Sequence, residues 1–289
     1  SINTARWDAV KHMALGVIGD AKEALLELDT KLEKWTAPKH WMKQAKKEMK
    51  AWNALLKEKQ KPTSGTLPSY AQIIKIIHDN AKKRDLVIAA AGGPPGEVNK
   101  GWKVKSPNTV DIEFGFSCMG YEIPAGWGAA MADKSRTPIV IIGDGTYLMM
   151  NSDIYSSVLT GHKIIVVIPD NGGFAIINRL QNYKGSKSFN NLIKDSRVSN
   201  SFSVDFAKHA ESMGAFGRRV DTLSELDKAM KWAQKNTRTT VISIPSNGHE
   251  WTPGDADWDV GVPEVSDLDS VKEARKAHEK IRAKQRIGI

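Results

Sequence analysis

Cysteine is almost missing from this chain. A single thiol, Cys118, excludes an intrachain disulfide and fits a reducing compartment, so a cytoplasmic location is expected. Long apolar runs are missing as well. None approaches the ~20 residues needed to span a bilayer, and no leader pattern opens the sequence, so no membrane association is expected. The seven histidines never fall into an HExxH-type spacing, which argues against a zinc centre. Internal repeats are absent. What is present is 289 residues with 40% hydrophobic content, enough for one large α/β domain with an appendage, or for two small domains.

Negative charge is in deficit, and the net charge is +9. Much of the excess lies in residues 39–61, where Lys39, Lys43, Lys46, Lys47, Lys50, Lys57, Lys59 and Lys61 fall. Nucleic-acid binding is one reading of such a stretch. Its periodicity favours another: Trp41, Ala45, Met49, Trp52 and Leu56 share one helical stripe and the lysines fill the remainder, as on a solvated helix face. No nucleic-acid motif accompanies it, so no nucleic-acid partner is expected.

Before that helix, Asp20 is placed to cap a helix running to Trp35, with Ala24, Leu25, Leu28 and Leu32 as its apolar face. Residues 62–68 are a linker by composition. This divides the chain into 1–61, the linker, a main domain at 69–250 and a C-terminal loop and helix at 251–289. In the main domain Ser69 can cap a helix bearing Ile73, Ile74, Ile76 and Ile77. Leu86 to Ala91 reads as a buried strand closed by a Gly/Pro cluster at 92–96, and 97–112 reads as irregular. A helix is expected in the second half of 113–132. Helices at 204–213 and 223–234 alternate with strands at 216–220 and 240–244, and a charged helix is expected over 266–286. The alternation predicts an α/β fold with a doubly wound, mainly parallel sheet. Residues 181–200, rich in Asn, Ser and Lys, read as a long loop of the kind that often forms a lid.

The chemistry concentrates between Ile139 and Gln181. An apolar run, Ile139 to Ile142, ends in Gly143-Asp144-Gly145. A helix is expected from near Thr146. A second apolar run, Ile164 to Ile168, ends in Asp170-Asn171-Gly172-Gly173. Two buried strands joined by a helix form a βαβ unit. Parallel strands end at one sheet edge, which places Asp144 beside Asn171. A carboxylate and an amide oxygen are hard donors suited to Mg²⁺ or Ca²⁺ held against a phosphate. The helix start offers free N–H groups to the same anion.

Gly143-Asp144-Gly145 with Asn171, 27 positions beyond Asp144, resembles the binding motif of the thiamine diphosphate-dependent enzymes. Gly115-Phe-Ser-Cys-Met-Gly-Tyr-Glu-Ile-Pro124 resembles a Met-Gly-Tyr/Phe-x-x-Pro sequence of the members close to acetohydroxyacid synthase. The resemblance implies Mg²⁺ held by the side chains of Asp144 and Asn171 and by the carbonyl of Gly173. It implies a diphosphate held by Gly145 and Thr146 beyond Gly143, and Met119 packed beneath the thiazolium to bend the cofactor. Gly93 and Ser117 fall near positions that contact the diphosphate or thiazolium.

Further segments are similar to the branch of the family that opens a cyclic, polyol-derived dione ring in myo-inositol breakdown. They are Phe116 to Ile123, Gly143 to Ser152, Asp170 to Gln181, Trp258-Asp259-Val260 and Pro263 to Ser266. Pro169 and Gly172 depart from that branch. The implied activity is hydrolysis of a C–C bond; the alternatives are a carboligase or 2-oxo acid decarboxylase subunit, or a non-catalytic cofactor-binding subunit. Family members are more than twice this length. The resemblance therefore implies that residues 1–61 end a central domain and that the glutamate activating the cofactor lies in a pyrimidine domain outside this sequence. The implied partner is a polypeptide carrying that domain, in a homo- or hetero-oligomer, with the isolated chain inactive.

Overall fold

The computed structural model describes residues 1–285 apart from 12, 64 and 255–259. Two compact units divide the chain: residues 1–53 with 275–289, and residues 54–274. The first opens with a parallel pair, β1 (Ile2–Asn3) and β2 (Val17–Ile18), which flanks α1 (Trp7–Lys11). Helix α2 (Ala21–Leu32) starts where the sequence places it, because Asp20 accepts hydrogen bonds from the Lys22 and Glu23 N–H groups. The basic helix is α3 (Lys39–Lys59). Its expected apolar stripe is largely exposed, with Trp41 68% accessible and only Leu56 buried. Helix α2 buries no residue.

The second unit carries the sheet. Helix α4 (Tyr70–Asn80) begins with a capping box: the Gln72 N–H donates to Ser69 Oγ, and the Ser69 N–H donates to Gln72 Oε1. There follow β3 (Leu86–Ala89), α5 (Gly93–Gly101), β4 (Val110–Ile112), α6 (Glu122–Ala132), β5 (Pro138–Ile141), α7 (Asp144–Met149), α8 (Asp153–Leu159) and β6 (Ile165–Asp170). Then come α9 (Ala175–Tyr183), α10 (Phe206–Ser212), β7 (Phe216–Arg219), α11 (Leu223–Lys235), β8 (Thr240–Pro245) and α12 (Asp269–Arg282).

The six strands pair in the order β4-β3-β5-β6-β8-β7, every neighbouring pair parallel. Alternate residues of each strand feed separate cores. Val87, Ile139, Ile141, Ile165, Val167 and Ile242 pack with α4 and α11. Ile88, Val140, Val166, Ile168 and Val241 pack with α6, α8 and α10. Burial on both faces is why these strands read as continuous apolar runs rather than as alternating ones. The chain leaves β3 toward β4, then crosses back to β5 on the other side of β3. That reversal opens a crevice at the strand C-termini, the usual ligand position in such sheets.

Three expectations are corrected. Residues 97–112 are not irregular: α5 occupies the Gly/Pro cluster and β4 follows. Pro94 and Pro95 stand at the first positions of α5, where a missing N–H costs nothing. The single helix expected after Asp144 is two, α7 starting at Asp144 and α8 at Asp153. The expected loop begins later, because α9 runs to Tyr183, followed by a 3₁₀ turn at Ile193–Asp195. Trp258, Asp259 and Arg286 lie outside the described residues. Among the described residues no helix is long and apolar enough to cross a membrane.

Candidate cofactor and metal site

The paired ends of β5 and β6 bring the two acidic turns together. Ile141 pairs with Val167, so Asp144 at the start of α7 faces the turn after Asp170. Asp144 is only 5% exposed. Its carboxylate accepts from the Asn171 N–H at 3.3 Å through Oδ1 and from the Gly173 N–H at 2.7 Å through Oδ2. Burial, reinforced by the negative charge of Asp170, pushes its pKa up to about 6, and the two N–H donors pull against that rise. A cation between these groups would remove both penalties.

Asn171 is held by a residue that no local motif announces. Its Nδ2 donates to the Tyr70 hydroxyl at 2.8 Å, across 101 positions of sequence. The Tyr70 phenol is buried, and desolvation and then Asp144 raise its pKa, which keeps it neutral. The contact fixes the amide so that Oδ1 is the other limb, and Oδ1 is buried with no hydrogen-bond partner. An orphaned amide oxygen beside a buried carboxylate is the donor set a hard divalent cation requires. Among the described residues no group of three His, Cys, Asp or Glu side chains forms a metal cluster.

Gly93, Ser117, Met119, Gly143, Gly145, Thr146, Asn171 and Gly173 line one cavity of about 320 Å³ with Tyr70. Three of these glycines, Gly93, Gly145 and Gly173, are dictated by space. A Cβ on Gly145 would lie 2.6 Å from the Phe174 ring, and one on Gly93 2.6 Å from both Tyr70 and Trp251. Gly172 adopts φ +76° and faces open space. The remaining wall is largely apolar and includes Phe114, Phe174 and, from α9, Ile176, Ile177 and Leu180.

A second missed residue, Glu122, stands behind the wall. It is fully buried, and its Oε1 accepts from the Ala91 N–H at 3.0 Å. Ser117 Oγ donates to the Ala90 carbonyl at 3.3 Å. The Phe116 and Cys118 N–H groups donate to Glu113. Together these bonds fasten the Met119 loop to the end of β3. Desolvation raises the Glu122 pKa against the lowering pull of backbone N–H groups, led by Ala91; its Oε2 is buried without a partner.

Glu122→Met fills the space but leaves the Ala91 N–H unpaired, and should cost about 2 kcal/mol in chemical denaturation. Glu122→Gln keeps an acceptor and should cost under about half of that. A raised carboxyl pKa means the folded state holds the proton more tightly than the unfolded one. Stability is therefore lost as pH rises from the ordinary carboxylate range toward the elevated pKa. Glu122→Gln should flatten that dependence. Equal destabilisation by both variants would refute the hydrogen-bonding role.

The chain is similar to known proteins. Residues 90–244 match the thiamine pyrophosphate enzyme C-terminal TPP binding domain. A 3D-(3,5/4)-trihydroxycyclohexane-1,2-dione hydrolase of Listeria monocytogenes is 33% identical over 95% of this chain and 47% of its own length. That of Bacillus subtilis is 32% identical over 97% of this chain and 48% of its own. The chain thus spans about half the length of the curated relatives it matches. A solved thiamine diphosphate-dependent 4-hydroxybenzoylformate decarboxylase from Rhodococcus jostii superposes with a TM-score of 0.58 at 19% identity, over 64% of this chain and 34% of its own, and shares the fold. With its cavity at the crevice of a parallel sheet and its match over 90–244, the chain belongs to the thiamine pyrophosphate enzymes, through their C-terminal TPP-binding domain.

Proposed function

We infer that this chain is the Mg²⁺–thiamine diphosphate-holding part of a hydrolase that opens a trihydroxylated cyclohexane-dione ring. The observation that carries the metal is the buried, unpartnered Oδ1 of Asn171 beside the Asp144 carboxylate. The relatives' activity, at about one-third identity over nearly the whole chain, supports the substrate class. When bound, thiamine diphosphate supplies a carbon nucleophile and an electron sink for breaking a bond next to a carbonyl.

The chain's own residues prepare that chemistry. Asp144 and Asn171 hold the cation, with the Gly173 carbonyl as a third donor. Gly145 and Thr146, in the first turn of α7, offer N–H and hydroxyl donors to the diphosphate. Gly93 and Ser117 border the same cavity, and Met119 gives the ring an apolar support. The apolar residues of α9 and Phe174 would shield a bound cofactor from water, a role the sequence suggests for a lid over 181–200. No glutamate of this chain is assigned to activate the cofactor. That residue belongs to a pyrimidine domain on a partner polypeptide or on further sequence of the same protein, and the two parts form the working oligomer.

The test mixes the chain with a polypeptide carrying the relatives' pyrimidine domain and supplies Mg²⁺, thiamine diphosphate and the trihydroxy dione. Ring opening that needs both polypeptides is the expected result. Cofactor binding without ring opening would overturn the substrate. Turnover by the chain alone would overturn the divided site.

A further inference from the structure

Helix α9 has a second side. Ile177 and Leu180 line the cofactor cavity and also a second, more open cavity of about 580 Å³. The two spaces therefore share a wall about one turn of helix long. Their linings differ in kind. The inner space is walled by glycines and apolar side chains, with Tyr70, Ser117, Thr146 and Asn171 as its polar groups. The outer one is lined by Gln181, Lys184, Asn190 and Asn191 together with Phe189, Val260 and Val271. Among the described residues no carboxylate lines it.

Backbone bonds fix this outer wall to the metal edge. Gly173 bridges to Leu192, and the Phe174 N–H donates to the Asn191 carbonyl at 2.7 Å. Asn191 Nδ2 donates to Gln181 Oε1, which ties the segment back to α9. On the other flank Gly185, at φ +87°, lies against the backbone of Ser270, whose hydroxyl donates to the Gly185 carbonyl at 2.6 Å.

We propose that this outer cavity is the subsite for the hydroxyl-bearing side of the substrate ring, with Gln181 and Lys184 as specificity-determining residues. The proposal rests on the function inferred above. With Asn191 Nδ2 bonded to Gln181 Oε1, Gln181 Nε2 remains as a donor and Asn191 Oδ1 as an acceptor, a pair suited to adjacent hydroxyls. A few polar groups among aromatic and aliphatic side chains suit a ring with one polar rim and C–H faces. The ketone end of the same ring then reaches past Ile177 and Leu180 to the cofactor cavity.

The experiment uses the full chain with Mg²⁺ and thiamine diphosphate and takes myo-inositol as the polyol probe, followed by saturation-transfer NMR. Cofactor affinity is titrated in parallel. Expected is myo-inositol binding that weakens at least tenfold in both Gln181→Met and Lys184→Met, while cofactor affinity changes less than threefold. Cofactor bound with no polyol contact, or polyol binding unaltered in both variants, overturns the subsite alone. Failure of the wild-type chain to bind the cofactor overturns the functional reading and the subsite with it.

Discussion

Asp144→Ala should abolish Mg²⁺-dependent binding of thiamine diphosphate while leaving the fold standing. Two effects of opposite sign act on the free protein. The substitution strands the Asn171 and Gly173 N–H groups, which now donate to the carboxylate and cost about 1–3 kcal/mol each when buried and unpaired. It also removes a desolvated charge repelled by Asp170. Because these oppose, the melting temperature of the free chain should fall by only a few degrees. Binding has no such offset. Loss of the proposed metal ligand should weaken affinity by at least the 10–100-fold seen for residues that merely orient ligands. At a cofactor concentration 100 times the wild-type dissociation constant, ligand stabilisation is about 2.7 kcal/mol. A hundredfold weaker variant retains about 0.4 kcal/mol under the same conditions. Thermal shift with Mg²⁺, with cofactor, and with both reads this directly. A variant that keeps the wild-type shift would remove Asp144 from the metal site.

That residue was legible because its motif is local. An apolar run, a glycine-flanked aspartate and a second run ending in asparagine fix a βαβ unit, and parallel pairing then forces Asp144 beside Asn171. The strands were legible for the same reason, being buried on both faces. Partners that meet through tertiary packing were not. Tyr70 is the first residue of a helix whose pattern announces Ile73, Ile74 and Ile77, and nothing nearby marks its hydroxyl for Asn171. Glu122 reads as an ordinary acidic first-turn residue until α6 is seated against the end of β3. Helix α5 was hidden by composition, since Gly92-Gly93-Pro94-Pro95-Gly96 resembles a break. Prolines confined to the first turn begin a helix as readily as they end one. Helix α9 was half hidden: Asn178, Arg179 and Gln181 look like loop residues, although the helix buries Ala175 and Asn178 and turns Ile177 and Leu180 to the cavity.

Gly173→Ala should be among the most damaging single-atom-scale changes in the unit. Gly173 has φ +144°, a conformation that L residues rarely adopt. A Cβ there would lie 2.5 Å from the Asn191 carbonyl oxygen and 3.0 Å from the Leu192 Cα. Both are backbone atoms, so no rotamer change relieves the clash. The chain must give up either the Gly173–Leu192 bridge or the N–H bond to Asp144. Strain of about 1–3 kcal/mol from the backbone alone, with the clash added, puts the loss at about 3 kcal/mol or more. For a unit of this size that is a fall of about 6–12 °C in melting temperature. Gly172→Ala is the matched control. Its φ of +76° is also left-handed, yet nothing lies within 4 Å of an added Cβ, so only the conformational cost of about 1 kcal/mol applies. Gly173→Ala should therefore melt well below Gly172→Ala. It should also lose cofactor affinity, because the segment it displaces carries Asn191 and adjoins the Asp144 contact. Equal melting temperatures for the two variants would mean that the 191–192 segment yields freely, and that the wall joining the two cavities is not rigid.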